Sequence, residues 1–169
     1  DVPCHSSTCA AKKLEANRKS VRSDVDYVLT FEELQGMFDA KDIDFNTLEA
    51  DPEDGLNEGT AMGRGFAVGG GVAAAVVEAI KHIDPSREVQ IEYGDGLREC
   101  KKMLMMAKAG KRNGYLLEGM ACPGGCVAGA GTITPVREST MNVEKFKKEA
   151  AEVSCTASPF VDRLKDVEE

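Results

Sequence analysis

The chain has 169 residues, of which 42% are hydrophobic and 5% aromatic with no Trp, and it carries a net charge of −8 at pH 7. That size and composition suit one globular domain or two small lobes, with a core built on aliphatic side chains and Met. The acidic balance argues against nucleic acid and anionic membrane as partners, since both ask for a basic surface; no apolar run approaches the roughly 20 residues a membrane helix needs.

In chain order, residues 1–9 read as an irregular polar lead-in, and the chain opens on Asp1 with no apolar signal segment. This suggests a piece of a longer, cytoplasmic protein. Ala10–Val21, rich in Lys, Arg and Glu, predicts an exposed helix. Asp26–Thr30 has the short apolar centre of a strand. Thr30 followed by Phe31-Glu32-Glu33 predicts a helix start with acid in its first turn, running to about Ala40. Residues 41–60 are acidic and turn-rich and predict a surface loop. A glycine-rich loop, Gly63–Gly71, leads into a largely apolar helix, Val72–Ile83. Its glycines do not fit the G-x-G-x-x-G spacing of a dinucleotide site, so it reads as a wall close to another ligand. A strand is expected at Arg87–Glu92. A helix at Gly96–Ala109 should bury Leu97, Cys100, Leu104 and Met105 on one face, with Met103 and Met106 also in the core. Tyr115–Met120 predicts a strand and a short helix follows Pro123. Val143–Val153 and Pro159–Val167 predict two terminal helices. The alternation implies an α/β fold, with a parallel or mixed sheet of about four strands flanked by helices.

The chemistry concentrates in Glu118–Gly131, where Cys122 and Cys126 flank Pro123-Gly124-Gly125 and more glycines follow. Thiolates are soft ligands suited to zinc, copper(I) or iron–sulfur clusters, and glycine lets backbone approach a bulky group. The thiols lie at the end of a strand, where α/β folds hold ligands. They are poor disulfide partners: β-carbons four apart on a helix are about 5–6 Å apart, whereas a disulfide wants about 3.5–4.5 Å. Two buried thiols in a glycine turn are the bland alternative. Zinc would need two further ligands, and His5 and His82 lack the spacing to supply them. A second constellation, Cys9 to Glu15, sets Lys12 three residues after Cys9, a compact cation beside a thiolate. Taken alone, it could equally be a solvated helix start. Cys100 reads as a structural thiol and Cys155 has no assigned role.

Together these segments resemble the iron-only (FeFe) hydrogenase family, in the C-terminal half of its large-subunit catalytic domain. Glu118–Gly131 resembles the signature E-x-M-x-C-x-x-G-C and Cys9–Glu15 resembles M-P-C-x-x-K-x-x-E, although Ser7 and Thr8 replace Met and Pro. Val25–Thr30 with Glu33-Leu34, and Gly65–Val72, also match in order. The resemblance implies one lobe of the hydrogenase domain over residues 1–169, and reversible reduction of protons to dihydrogen at a 4Fe–4S cluster joined to a diiron subcluster. It implies Cys9, Cys122 and Cys126 as cluster ligands, Cys126 bridging the two parts, with Cys4 of Val2-Pro3-Cys4 an alternative to Cys9. Lys12 would donate to an iron-bound cyanide and Glu15 would support it. Met120 would pack against the diiron unit, which Phe66 and Ala67 would line. The implied partners are ferredoxin or another electron carrier and cluster-maturation proteins. A further signature, T-S-C-C-P, which carries a fourth cluster ligand and a proton-relaying cysteine, is absent from this sequence. The expectation is therefore a chain that is inactive and largely cluster-free by itself. A hydrogenase-like protein of cluster assembly or hydrogen sensing is the alternative, and a zinc module a third.

Overall fold

The computed structural model describes residues 4–6, 9–18, 20, 24–49 and 58–162. The first part holds β1 (Cys4–Ser6), α1 (Ala11–Ala16), β2 (Tyr27–Leu29) and α2 (Phe31–Asp39). The second holds α3 (Ala61–Arg64), α4 (Gly71–Ile83), β3 (Gln90–Asp95), α5 (Leu97–Lys108), β4 (Tyr115–Met120) and α6 (Val136–Lys148). Short 3-10 turns lie at Gly65–Ala67, Cys126–Ala128 and Cys155–Ala157. The fold is α/β, and the strands pair in parallel, as β1 with β2 and β3 with β4. Among the described residues, the four strands are thus divided between two pairs instead of lying side by side.

Residues 1–9 are not wholly irregular, because β1 pairs Cys4 with Tyr27 and Ser6 with Leu29. Three residues show no usable periodicity, so only the pairing reveals the strand. α1 is a short segment of the expected Ala10–Val21 helix. The second strand pair falls at Gln90–Asp95 and Tyr115–Met120, the first displaced from its expected place by the turn at Pro85–Ser86, which the Arg87 N–H closes by donating to Asp84 O at 3.1 Å. The loop expected at Gly63–Gly71 contains the second half of α3 and a 3-10 turn, because Thr60 caps the helix by accepting the Gly63 N–H at 3.3 Å. The last long helix is Val136–Lys148, earlier than Val143–Val153, since Pro135 suits the residue entering a helix. The expected Pro159–Val167 helix falls largely outside the described residues.

α5 separates two faces that the sequence pattern had merged. Met103 is buried against the β3–β4 pair, whereas Leu97, Leu104 and Met105 are exposed. The latter line a shallow outer groove with Lys101 and Lys108. Cys100 lies between the faces, half-buried, and its thiol donates to Gly94 O at 3.2 Å. Gly94 has to be glycine: a Cβ there would come within 2.9 Å of the Cys100 backbone and sulfur. The core also includes Val28, Ala73 and Val127. Among the described residues, no helix is long and apolar enough to cross a membrane.

The two parts meet where the Phe31 N–H donates to Gly131 O at 3.2 Å. α2 begins there with a capping box: Thr30 Oγ1 accepts the Glu33 N–H and the Glu33 carboxylate accepts the Thr30 N–H at 2.8 Å. Lys13 of α1 donates to both Glu33 oxygens, at 2.6 and 2.8 Å. The Lys13 bond first, and the Thr30 N–H second, hold the Glu33 carboxyl below its ordinary range. A carboxyl depressed in this way adds stability above its unfolded value and loses it as pH falls through the lower folded value. Glu33→Gln should therefore lower stability at neutral pH and leave it nearly unchanged at the acid end of that window. Urea unfolding measured between pH 3 and 7 checks this, and an equal loss at every pH would contradict it.

Candidate metal centre

The chain leaves β4 at Met120 and turns sharply through Cys122–Cys126. Gly124 and Gly125 both have φ of +94°, and Gly125 combines it with ψ of −164°, a region essentially closed to other residues. Gly125 is also walled in: a Cβ would lie 2.5 Å from Gly69 N and 2.8 Å from Ala67 O. The Gly69 N–H donates to Gly124 O at 3.2 Å. From the other side, the Gly124 N–H donates to Asp95 Oδ1 at 2.7 Å, and the Gly96 N–H to Met120 O at 2.8 Å. The close approach that glycine allows in the 63–71 segment is therefore made, at Gly69, to the backbone of the cysteine turn.

Cys126 opens the Cys126–Ala128 3-10 turn, a tighter element than the helix expected there. Its thiol is raised above its ordinary value, first by burial of its sulfur end and then by Cys122 and Cys9, with Lys12 pulling the other way. The residue as a whole is exposed, so that burial is partial. Cys9 stands just before α1, and the Lys12 N–H donates to Cys9 O at 3.1 Å. Lys12 Nζ contacts Glu15 Oε2 at 2.6 Å. Its ammonium is raised, first by that hydrogen bond and further by Glu15, Cys9 and Cys126, against the effect of burial. Cys9, Cys122, Cys126 and Lys12 thus share one electrostatic neighbourhood, with Glu15 in contact with Lys12. The side chain of Cys4 lies outside the described residues.

The other expected residues lie on neighbouring features instead of in one shell with the thiols. Met120 and Gly124 line a groove of about 600 Å³ with Tyr93, Asp95, Glu118 and Lys147, to which none of the cysteines contributes. Ala67 lines a separate cavity of about 300 Å³ with Phe31 and Val127. Phe66 is half-exposed on the Gly65–Ala67 turn, which packs against the Cys126–Ala128 turn. Cys155 is exposed on its own 3-10 turn.

Two carboxylates were missed as functional. Glu118 accepts the N–H groups of Gly70 at 3.2 Å and Ala73 at 2.9 Å, where a helix N-terminus favours negative charge. It fixes the start of α4 against β4. Asp95 holds the cysteine turn itself. Its position at the carboxyl end of a parallel strand was the available signal.

Among the described residues, no three His, Cys, Asp or Glu side chains converge as ligands of a single ion. Zinc asks its thiolates to lie about 2.3 Å from one point. A four-iron cluster spreads its thiolates over several irons, so three coupled thiols around a glycine turn fit such a group in their chemistry.

The model for the C-terminal domain of the iron-only hydrogenase large subunit matches residues 7–130. The chain belongs to this family. It is 32% identical over 154 residues to the periplasmic Fe hydrogenase large subunit of Nitratidesulfovibrio vulgaris, covering 73% of the chain and 37% of that protein. It is 29% identical over 187 residues to a probable cytosolic Fe–S cluster assembly factor of Drosophila virilis, covering 83% of the chain and 39% of that protein. The chain thus spans well under half the length of these relatives. Among solved structures, the FeFe-hydrogenase HydA1 of Chlamydomonas reinhardtii shares the fold, with a TM-score of 0.63 at 20% identity over 98% of this chain and 58% of that one.

In this hydrogenase-family chain, Gly125→Ala should destabilise by about 1–3 kcal/mol from backbone strain alone, with the contact to Gly69 adding to it. Chemical denaturation of the variant measures this. Wild-type stability would contradict the packing described here.

Proposed function

We propose that this chain forms part of an iron-only hydrogenase, which interconverts protons and electrons with dihydrogen. The observation that carries this reading is the nearness of Cys122, Cys9 and Lys12 to Cys126, within a chain whose family match runs through all four. The three thiolates would hold a 4Fe–4S cluster, with Cys126 also joining it to the diiron subcluster. When bound, this cofactor supplies the redox chemistry that makes or splits dihydrogen. Lys12 would donate to an anionic ligand of the diiron unit and offset its charge. Glu15, which contacts that ammonium at 2.6 Å, would support it. Met120, Phe66 and Ala67 would pack around the diiron unit and keep solvent from it.

The protein takes electrons from ferredoxin or another small carrier, receives its diiron unit from maturation proteins, and works in the cytoplasm. No nucleic acid or membrane enters the reaction. Turnover belongs to the full-length protein. The three thiols proposed here leave one of four cluster positions to another ligand, so this chain alone does not evolve hydrogen. A second reading, cluster assembly, draws on the Drosophila virilis relative. The Lys12–Glu15 ion pair supports the first, since a cation there would offset an anionic ligand of the diiron unit.

Hydrogen evolution from reduced viologen tests the assignment. The full-length protein, matured with its diiron cofactor, should be active, and Lys12→Ala should lower its rate by about 10- to 100-fold. A matured protein that binds iron and sulfide yet evolves no hydrogen would favour the assembly reading. Activity from this chain alone would overturn the claim that it needs a further ligand.

A further inference from the structure

The cysteine turn is held by a side chain to which the hydrogenase reading gives no task. Asp95 ends β3, in register with Met120 of β4. Its backbone is therefore fixed by the strand ladder and by the adjacent Gly96 N–H, which donates to Met120 O at 2.8 Å. From that position its Oδ1 accepts the Gly124 N–H at 2.7 Å, the length of a charge-assisted bond. Gly124 is two residues from each of Cys122 and Cys126. The Gly124 carbonyl is meanwhile held at 3.2 Å by the Gly69 N–H, so both hydrogen-bonding groups of this residue are engaged. With φ positive at Gly124 and at Gly125, the turn has backbone freedom that these external bonds restrict beside the internal bond from the Gly125 N–H to Cys122 O at 2.9 Å.

We propose that Asp95 is a positioning residue for the cluster: its carboxylate locks the Cys122–Cys126 turn and sets a fixed negative charge beside both thiolates. The inference rests on the cluster reading given above. Groups that orient ligating residues set both metal affinity and redox behaviour. A negative charge near an iron–sulfur cluster disfavours the added electron, so Asp95 lowers the midpoint potential.

Two variants separate the two effects. Asp95→Asn keeps a carbonyl oxygen as acceptor and loses the charge, whereas Asp95→Ala loses both. The full-length protein is loaded anaerobically with ferrous iron and sulfide, its potential is read by redox titration monitored by EPR, and its cluster retention is read against a chelator. Exchange of the Gly124 amide is followed by NMR in the metal-free protein. Asp95→Ala should speed that exchange by about tenfold or more and weaken cluster retention by about 10- to 100-fold. Asp95→Asn should change both less, with an unaltered melting temperature, and shift the potential to a more positive value. Gly124 exchange in Asp95→Ala at the wild-type rate would overturn the positioning role even where the cluster loads. An Asp95→Asn potential equal to wild type would overturn the charge effect. A wild-type protein that takes up no iron would instead overturn the cluster reading, while the exchange measurement still decides whether Asp95 locks the turn.

Discussion

The Gly124 residue is the point on which the site depends. Its N–H is taken by Asp95 from the end of β3 and its carbonyl by the Gly69 N–H from the glycine segment. These two bonds bring the strand pair and the segment before α4 to one five-residue turn. Glu118 reinforces the arrangement by holding the first residues of α4 against β4. A bulkier residue at Gly125 would push the Gly69 strand of contacts away. The glycines of the two segments serve backbone contact with each other.

The electrostatics of the thiols follow from this closeness. The Cys126 thiol resists losing its proton, first through burial and then through Cys122 and Cys9. Lys12 works against that resistance, and Glu15 in turn keeps Lys12 charged. Iron binding would release the thiol protons and compensate the thiolates, so the cost of gathering them is repaid only when metal arrives. Among the described residues the buried apolar core is small, with Val28, Ala73, Met103 and Val127 inside.

Much of this arrangement was legible in the sequence, for identifiable reasons. The Tyr115–Met120 strand and the helix at Leu97–Lys108 sit where the apolar patterns put them. The capping box at Thr30 and Glu33 was signalled by acid in the first turn. Cys9, Lys12, Cys122 and Cys126 were picked out by their spacing, and the fold brings them together. What escaped was whatever depends on long-range partners. β1 is visible only through its pairing with β2. The two faces of α5 could not be told apart until the position of the β3–β4 pair was known. Asp95 and Glu118 look like ordinary acids in a chain with 29 of them, and only their backbone partners reveal their work.

In the proposed function, Cys9, Cys122 and Cys126 hold one four-iron cluster. Mössbauer spectroscopy of the full-length protein, loaded anaerobically with ⁵⁷Fe and sulfide, tests it most directly when wild type is compared with Cys9→Ser, Cys122→Ser and Cys126→Ser. The account predicts the signal of a four-iron cluster in wild type and its severe loss in each variant. A wild-type cluster signal that survives all three substitutions would contradict it.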